Sequence, residues 1–410
     1  MRLLVVGHPF LLAHNQKKYV ALKRLGAEIR LLVPSRGRDR FDLTDCELHP
    51  ALRRQEVVPL KAWLARSHMT YLHNPWRIAQ ALREFQPDVV HIEEEPQAFI
   101  TVETIALQRA FAPRAAVTLF SWDNLLRRRR FPLHTLKRRL RRHSLRRVAA
   151  VICGNRRAAE LLRGEGYFSG PVEVLPQYGM DVDEHQPGAE PALRGELGLD
   201  DHIVIGYVGR LVPMKGLRLL IEALGQLQTY PWKLLLVGVG PLEEEIRRDW
   251  MTKFPGRIVL IPAVPYQSVP RYLRCSDIFV LPSCSTPAWT EQFGLALTQA
   301  MMLGIACIGS SSGAIPEMLG PGGIVFEEGS TQQLARALGD LLNSPARREQ
   351  LGALGREFAL KNYTQEGVAA RYLAAFEKVL SSSFRSQRGE AVGRDAMAER
   401  KVPAAQTYVE

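Results

Sequence analysis

The sequence predicts an α/β protein built from two Rossmann-like, doubly wound domains. Three observations predict this. Short apolar runs without polar alternation recur along the chain, as expected of strands covered by helices on both faces. Longer stretches with helical periodicity separate them, the rhythm of a parallel sheet. The 410 residues, 46% of them hydrophobic, exceed one ordinary domain and can fill two cores.

The strand-like runs are Leu3–Val6, Ile29–Val33, Val89–Ile92, Ala116–Phe120, Val148–Cys153 and Val172–Leu175, then Ile203–Val208, Leu234–Val237, Ile258–Ile261, Ile278–Leu281, Ile305–Ile308 and Gly323–Phe326. Helical patterns include Trp76–Phe85, Phe99–Ala110 and Leu217–Leu227. Asp181–Asp201 is rich in Pro, Gly and acids and has no strand pattern, so it reads as a linker. The expected domains are 1–183 and 184–362. A helix over 363–381 follows, then a polar, disordered tail over 382–410.

The net charge of +12 suggests an anionic partner. The five cysteines are widely spaced and lack metal-ligand spacing, which fits a reducing compartment and no zinc. The start, MRLLVVGHPF, reads as a buried strand rather than a signal peptide, and no run is long enough to span a membrane. The expected location is the cytoplasm, with peripheral attachment to the inner face of the plasma membrane as an extension.

Candidate chemistry lies at strand ends, where doubly wound sheets bind ligands. The strand IVIGYV runs into Gly209, Arg210, a short loop and Lys215 before a helix. Two cations beside a helix N-terminus suit a diphosphate. The alternative is a solvated basic loop. Gly238 and Gly240 form a second turn after a strand, for which a tight βα turn is a sufficient account. Residues 281–320 are the most specific stretch. Glu291 precedes a helix that starts near Gly294, Gln299 lies eight residues after Glu291, and Glu317 follows a turn of small residues.

This segment resembles glycosyltransferase family 4, the retaining enzymes with the GT-B fold. The family's Glu-x7-Glu motif is matched by EQFGLALTQAMMLG and its Gly-rich turn by SGAIPE. GRLVPMKG matches its diphosphate-binding pair, and PDVVHIEEEP, FSWDN and VLPQYGMD have counterparts in one branch. The resemblance covers roughly residues 1–380. It implies two domains facing a central cleft and a nucleotide-sugar donor as substrate. It implies Arg210 and Lys215 on the leaving diphosphate, Glu291 on the donor sugar, and Gly209, Gly238, Gly240, Phe293, Gly294, Leu295 and Glu317 near the donor. The second family Glu, which binds ribose hydroxyls, is Gln299 here. Its amide can pair with a hydroxyl without charge assistance. A helix crossing back to the first domain is also implied, and neither metal nor cofactor is expected.

The first domain is then expected to take the acceptor. His91, Glu93, Asp123 and Asn124 follow strand ends and are its candidates, with a packed core histidine as the alternative for His91. The family's Gly-Gly turn after the first strand is replaced by Gly7-His8-Pro9. Arg127–Arg147 holds eleven Lys or Arg interleaved with leucines and predicts contact with an anionic membrane, or else a solvated surface helix. No nucleic-acid-binding module accompanies it. The expected function is transfer of a hexose-type sugar to a lipid-linked or polysaccharide acceptor. The alternatives are a catalytically silent scaffold of this fold on the membrane and a cytosolic transferase with a small-molecule acceptor.

Overall fold

The computed structural model describes residues 1–39, 42–63, 69–125 and 133–398. Its first sheet has seven strands in the spatial order Val172–Val174, Ala150–Cys153, Ala116–Ser121, Val89–Ile92, Arg2–Val6, Glu28–Pro34 and Val57–Leu60, all parallel. The second has six, in the order Ile258–Ile261, Trp232–Val237, Ile203–Val208, Ile278–Leu281, Ala306–Ser310 and Gly323–Phe326, also parallel. In each sheet the fourth long strand returns beside the first. That reversal opens a crevice at the strands' carboxyl ends, where ligands bind.

The apolar runs become strands because both faces are covered. Leu3, Val5 and Leu31 pack on one face of the first sheet and Leu4, Val6 and Leu32 on the other, all fully buried. Val57–Leu60 carries Pro59 and shows no strand signal in sequence. It lies at the sheet edge, where a missing N–H is tolerated. Two short antiparallel ribbons, Arg36–Asp39 with Asp42–Asp45 and Ala62–Trp63 with Leu72–His73, also lack a sequence signal.

The chain crosses between the sheets twice, side by side. Met180 N–H donates to the Tyr363 carbonyl at 2.6 Å, and Gln365 N–H to the Met180 carbonyl at 2.8 Å. Beyond the first crossing, the linker contains one short helix, Pro191–Glu196, and packs on the second domain through Arg274 and Arg194. Beyond the second crossing, the helix Gln365–Ala398 returns to the first domain. Val368, Ala369, Tyr372 and Phe376 are fully buried against the first sheet. The helix extends as far as Ala398. The stretch to Ala398 contains no proline that would stop the helix. Residues 399–410 lie outside the described residues.

Phe376 fills the space between this helix and the sheet, its ring 5.1 Å from that of His91. Phe376→Ala is expected to destabilise the first domain by about 3–5 kcal/mol, measured as a lower urea midpoint of its unfolding transition.

Candidate active site

A cavity of about 610 Å³ lies where the carboxyl ends of the two sheets meet. The second domain contributes most of its wall. Gly209, Arg210, Lys215, Gly238, Glu291, Phe293, Gly294, Leu295 and Gln299 all line it.

Lys215 and Glu291 form its polar centre. Lys215 Nζ donates to Glu291 Oε2 at 2.5 Å, and Ser283 Oγ donates to the same oxygen at 2.8 Å. Lys215 Nζ also lies 5.0 Å from the centre of the Trp289 ring. Tyr207 OH donates to the Arg210 carbonyl at 2.7 Å and so braces the Gly209–Arg210 turn. The turns are built on glycine where close approach demands it. A Cβ at Gly238 would lie 1.9 Å from the Gly209 carbonyl oxygen, and one at Gly216 would lie 1.8 Å from that of Pro282. The helix Leu295–Met302 starts at the cavity, so its N-terminal amides face the same space as the two cations.

Two donor-side candidates lie elsewhere. Gly240 packs against the Leu211 carbonyl, where a Cβ would come within 2.4 Å. Glu317 accepts from Arg156 N–H at 2.9 Å, at the start of a first-domain helix. It therefore ties the domains together outside the cavity wall.

The four acceptor-side candidates also lie off the cavity wall. His91 points into the layer under its sheet, where its Nδ1 lies 2.8 Å from Thr118 Oγ1 and its ring packs edge-on against Tyr372. Glu93 turns into the same layer and is paired with buried Lys18, with Tyr19 and Gln177 also donating to it. Burial alone would raise its pKa, but the Lys18 charge and hydrogen bonds from His91 and Lys18 outweigh that and hold it at about 2. Asp123 lies 3.8 Å from Arg141. Asn124 is buried, and its Nδ2 donates to the Glu291 carbonyl at 2.9 Å, which makes it a bridge between domains.

The first domain instead lines the cavity with His8, Pro9, Trp122, Gln177 and Tyr178. Sequence reasoning did not select His8, although the Gly7-His8-Pro9 departure marked its position. Glu94 Oε1 accepts from His8 N–H at 2.7 Å and from Tyr71 OH at 2.6 Å, and lies 2.6 Å from His8 Nδ1. Burial lowers the His8 pKa, but the Glu94 charge and hydrogen bond outweigh it, so the pKa is raised overall.

Two family models match the chain: "Glycosyl transferase 4-like domain" over residues 14–177 and "Glycosyl transferases group 1" over 190–358. Both halves of the chain thus match glycosyltransferase families. It is 31% identical over 214 residues to the GDP-mannose-dependent alpha-(1-6)-phosphatidylinositol monomannoside mannosyltransferase of Mycolicibacterium smegmatis, covering 50% of this chain and 55% of that one. A Corynebacterium glutamicum mannosyltransferase for the monoacylated form is 32% identical over 208 residues, covering 48% and 54%. The chain thus spans about half the length of these curated relatives. Among solved structures, sucrose-phosphate synthase from Thermosynechococcus elongatus superposes with a TM-score of 0.71 at 18% identity, covering 93% of this chain and 100% of that one. Anabaena HepE in complex with UDP gives 0.70 at 16%, covering 92% and 100%. Both share the GT-B fold with this chain.

The buried Glu93 makes folding pH-dependent. Its folded pKa is depressed, so its contribution is present above the ordinary carboxylate value of 4.5 and is lost as pH falls toward about 2. A loss on the order of 3 kcal/mol is expected across that window. Glu93→Gln, which leaves Lys18 without its counter-ion, is expected to flatten that slope in urea titrations from pH 5 to 2.

Proposed function

We propose that the protein is a retaining glycosyltransferase that moves a hexose-type sugar from a nucleotide-sugar donor to a lipid-linked or polysaccharide acceptor. The observation that carries this is the Lys215–Glu291 pair, set in the interdomain cavity beside Arg210 and a helix N-terminus. The names of the relatives, which are dependent on GDP-mannose and act on phosphatidylinositol mannosides, support this donor and acceptor class.

In this reading the donor diphosphate lies against Arg210, Lys215 and the amides at Phe293–Leu295. These groups are aimed at charge that develops as the sugar–phosphate bond breaks. Two cations serve the leaving group, so no metal is required. Glu291, already fixed by Lys215 and Ser283, takes hydroxyls of the sugar. The acceptor hydroxyl forms the new bond on the face that the phosphate vacates, and its proton passes to the departing phosphate oxygen. His8, Trp122 and Tyr178 form the acceptor-facing wall.

The basic helix supports a membrane-surface acceptor. Among the residues of Leu133–Leu145 whose side chains are described, Leu136 is exposed beside exposed Arg138, Arg139 and Arg142. Of its arginines Arg141 alone is buried, donating to Glu165 at 2.7 Å, and with buried Ser144 and Leu145 it anchors the helix. Arg127–Pro132 lie outside the described residues. No described helix is long and apolar enough to cross a membrane. The exposed arginines suit peripheral attachment to an anionic membrane surface.

UDP, GDP, ADP and dTDP are the first ligands to test. One of them is expected to raise thermal stability, by about 2.7 kcal/mol at 100 times its dissociation constant. Lys215→Ala and Glu291→Ala are expected to lower transfer by at least 100-fold with an unchanged melting temperature, and EDTA to leave transfer intact. Unaltered turnover in either variant would remove the pair from the chemistry. Sedimentation with vesicles containing phosphatidylserine should occur at low salt and weaken as salt rises.

A further inference from the structure

Gln299 stands where the family pattern has a second glutamate, and its surroundings explain the exchange. It lies on the helix Leu295–Met302, is 2% exposed and lines the cavity. Its Nε2 is 3.2 Å from Nε2 of His185, a buried residue of the linker between the sheets. His185 Nδ1 lies 2.8 Å from the Asp181 backbone carbonyl. A carbonyl only accepts, so Nδ1 carries the proton. In the neutral ring Nε2 then holds a lone pair and needs a donor. Burial pushes the His185 pKa down and favours that neutral form.

The Gln299 amide is thereby oriented. Its NH2 faces His185, and its Oε1 is the atom left for the cavity. No described side chain or backbone group donates to that oxygen. A glutamate here would set its charge against the Nε2 lone pair, or would require a buried His185 to become charged. Glutamine is the residue that this histidine selects.

We propose that His185 is a positioning residue for the donor nucleotide, fixing Gln299 so that its side-chain carbonyl accepts a hydrogen bond from a ribose hydroxyl. This rests on the nucleotide-sugar reading above. It moves part of nucleotide recognition onto the linker, outside the Gly-rich turns and the Glu291 motif.

The test is binding of UDP and GDP, and of the 2′-deoxy and 3′-deoxy forms of whichever binds, to the full chain. The unmodified protein should prefer the ribonucleotide over one deoxy form by about 3- to 10-fold, the worth of one neutral hydrogen bond. His185→Ala and Gln299→Ala should each erase that preference by weakening the ribonucleotide alone, and the double variant should be no weaker than either. His185→Phe keeps the ring volume without the acceptor nitrogen, and should behave like His185→Ala. Equal weakening of ribo and deoxy forms would make His185 merely structural and overturn the inference, as would a preserved preference in both His185 variants. Failure of the unmodified protein to bind any nucleoside diphosphate would instead overturn the transferase reading itself.

Discussion

The cleft depends on one short stretch of main chain, Glu291–Phe293, held from both domains at once. The Glu291 carbonyl accepts from Asn124 Nδ2 of the first domain at 2.9 Å and from Ala314 N–H of its own at 3.0 Å. The Gln292 carbonyl accepts from Asn155 Nδ2 at 3.0 Å, and Gln292 Nε2 donates back to the Trp122 carbonyl at 3.3 Å. The Phe293 ring lies between those of Trp122 and Tyr363. Buried carbonyls need donors, and here the other domain supplies them. The residue that holds the cavity-facing carboxylate is therefore also a residue that ties the two domains together.

Two lysine–glutamate pairs show how burial separates structure from function. Lys18–Glu93 is fully buried, and Tyr19 and Gln177 donate further bonds to the same carboxylate. Such a pair repays desolvation only through that complete set of partners, and removing one member leaves a buried charge. Lys215–Glu291 has side chains 14% and 8% exposed and faces open cavity. Its lysine can turn toward an incoming phosphate while its glutamate keeps Ser283 as a partner. The first pair fixes the core of one domain, and the second borders open space.

The strands of both sheets were legible because burial on two faces leaves an unbroken apolar run. Val57–Leu60 was not, since Pro59 argues against a strand and only Val57 and Leu60 of it are buried. Close backbone approach and charge restrict residue choice, and the candidates Gly209, Gly238, Arg210, Lys215 and Glu291 all reach the cavity. The acceptor-side candidates His91, Glu93, Asp123 and Asn124 lie off the cavity wall. His91 and Glu93 do follow or end a strand at the right edge, but side-chain direction there depends on what fills the layer beneath. The helix Gln365–Ala398, more than 250 residues away in sequence, fills it with Tyr372 and Phe376. No local pattern at positions 91–93 encodes that partner.

Two histidines, His8 and His185, line or border the cavity in contrasting surroundings. Each is a histidine whose Nδ1 is tied to an oxygen acceptor, Glu94 in one case and the Asp181 carbonyl in the other. A carboxylate raises the imidazole pKa, whereas burial against a neutral carbonyl lowers it, and the two rings shift in those opposite directions. One histidine is thus biased toward the charged form on the first-domain wall, and the other is kept neutral beside Gln299. The linker and the first βα turn thus place two differently biased imidazoles at one crevice.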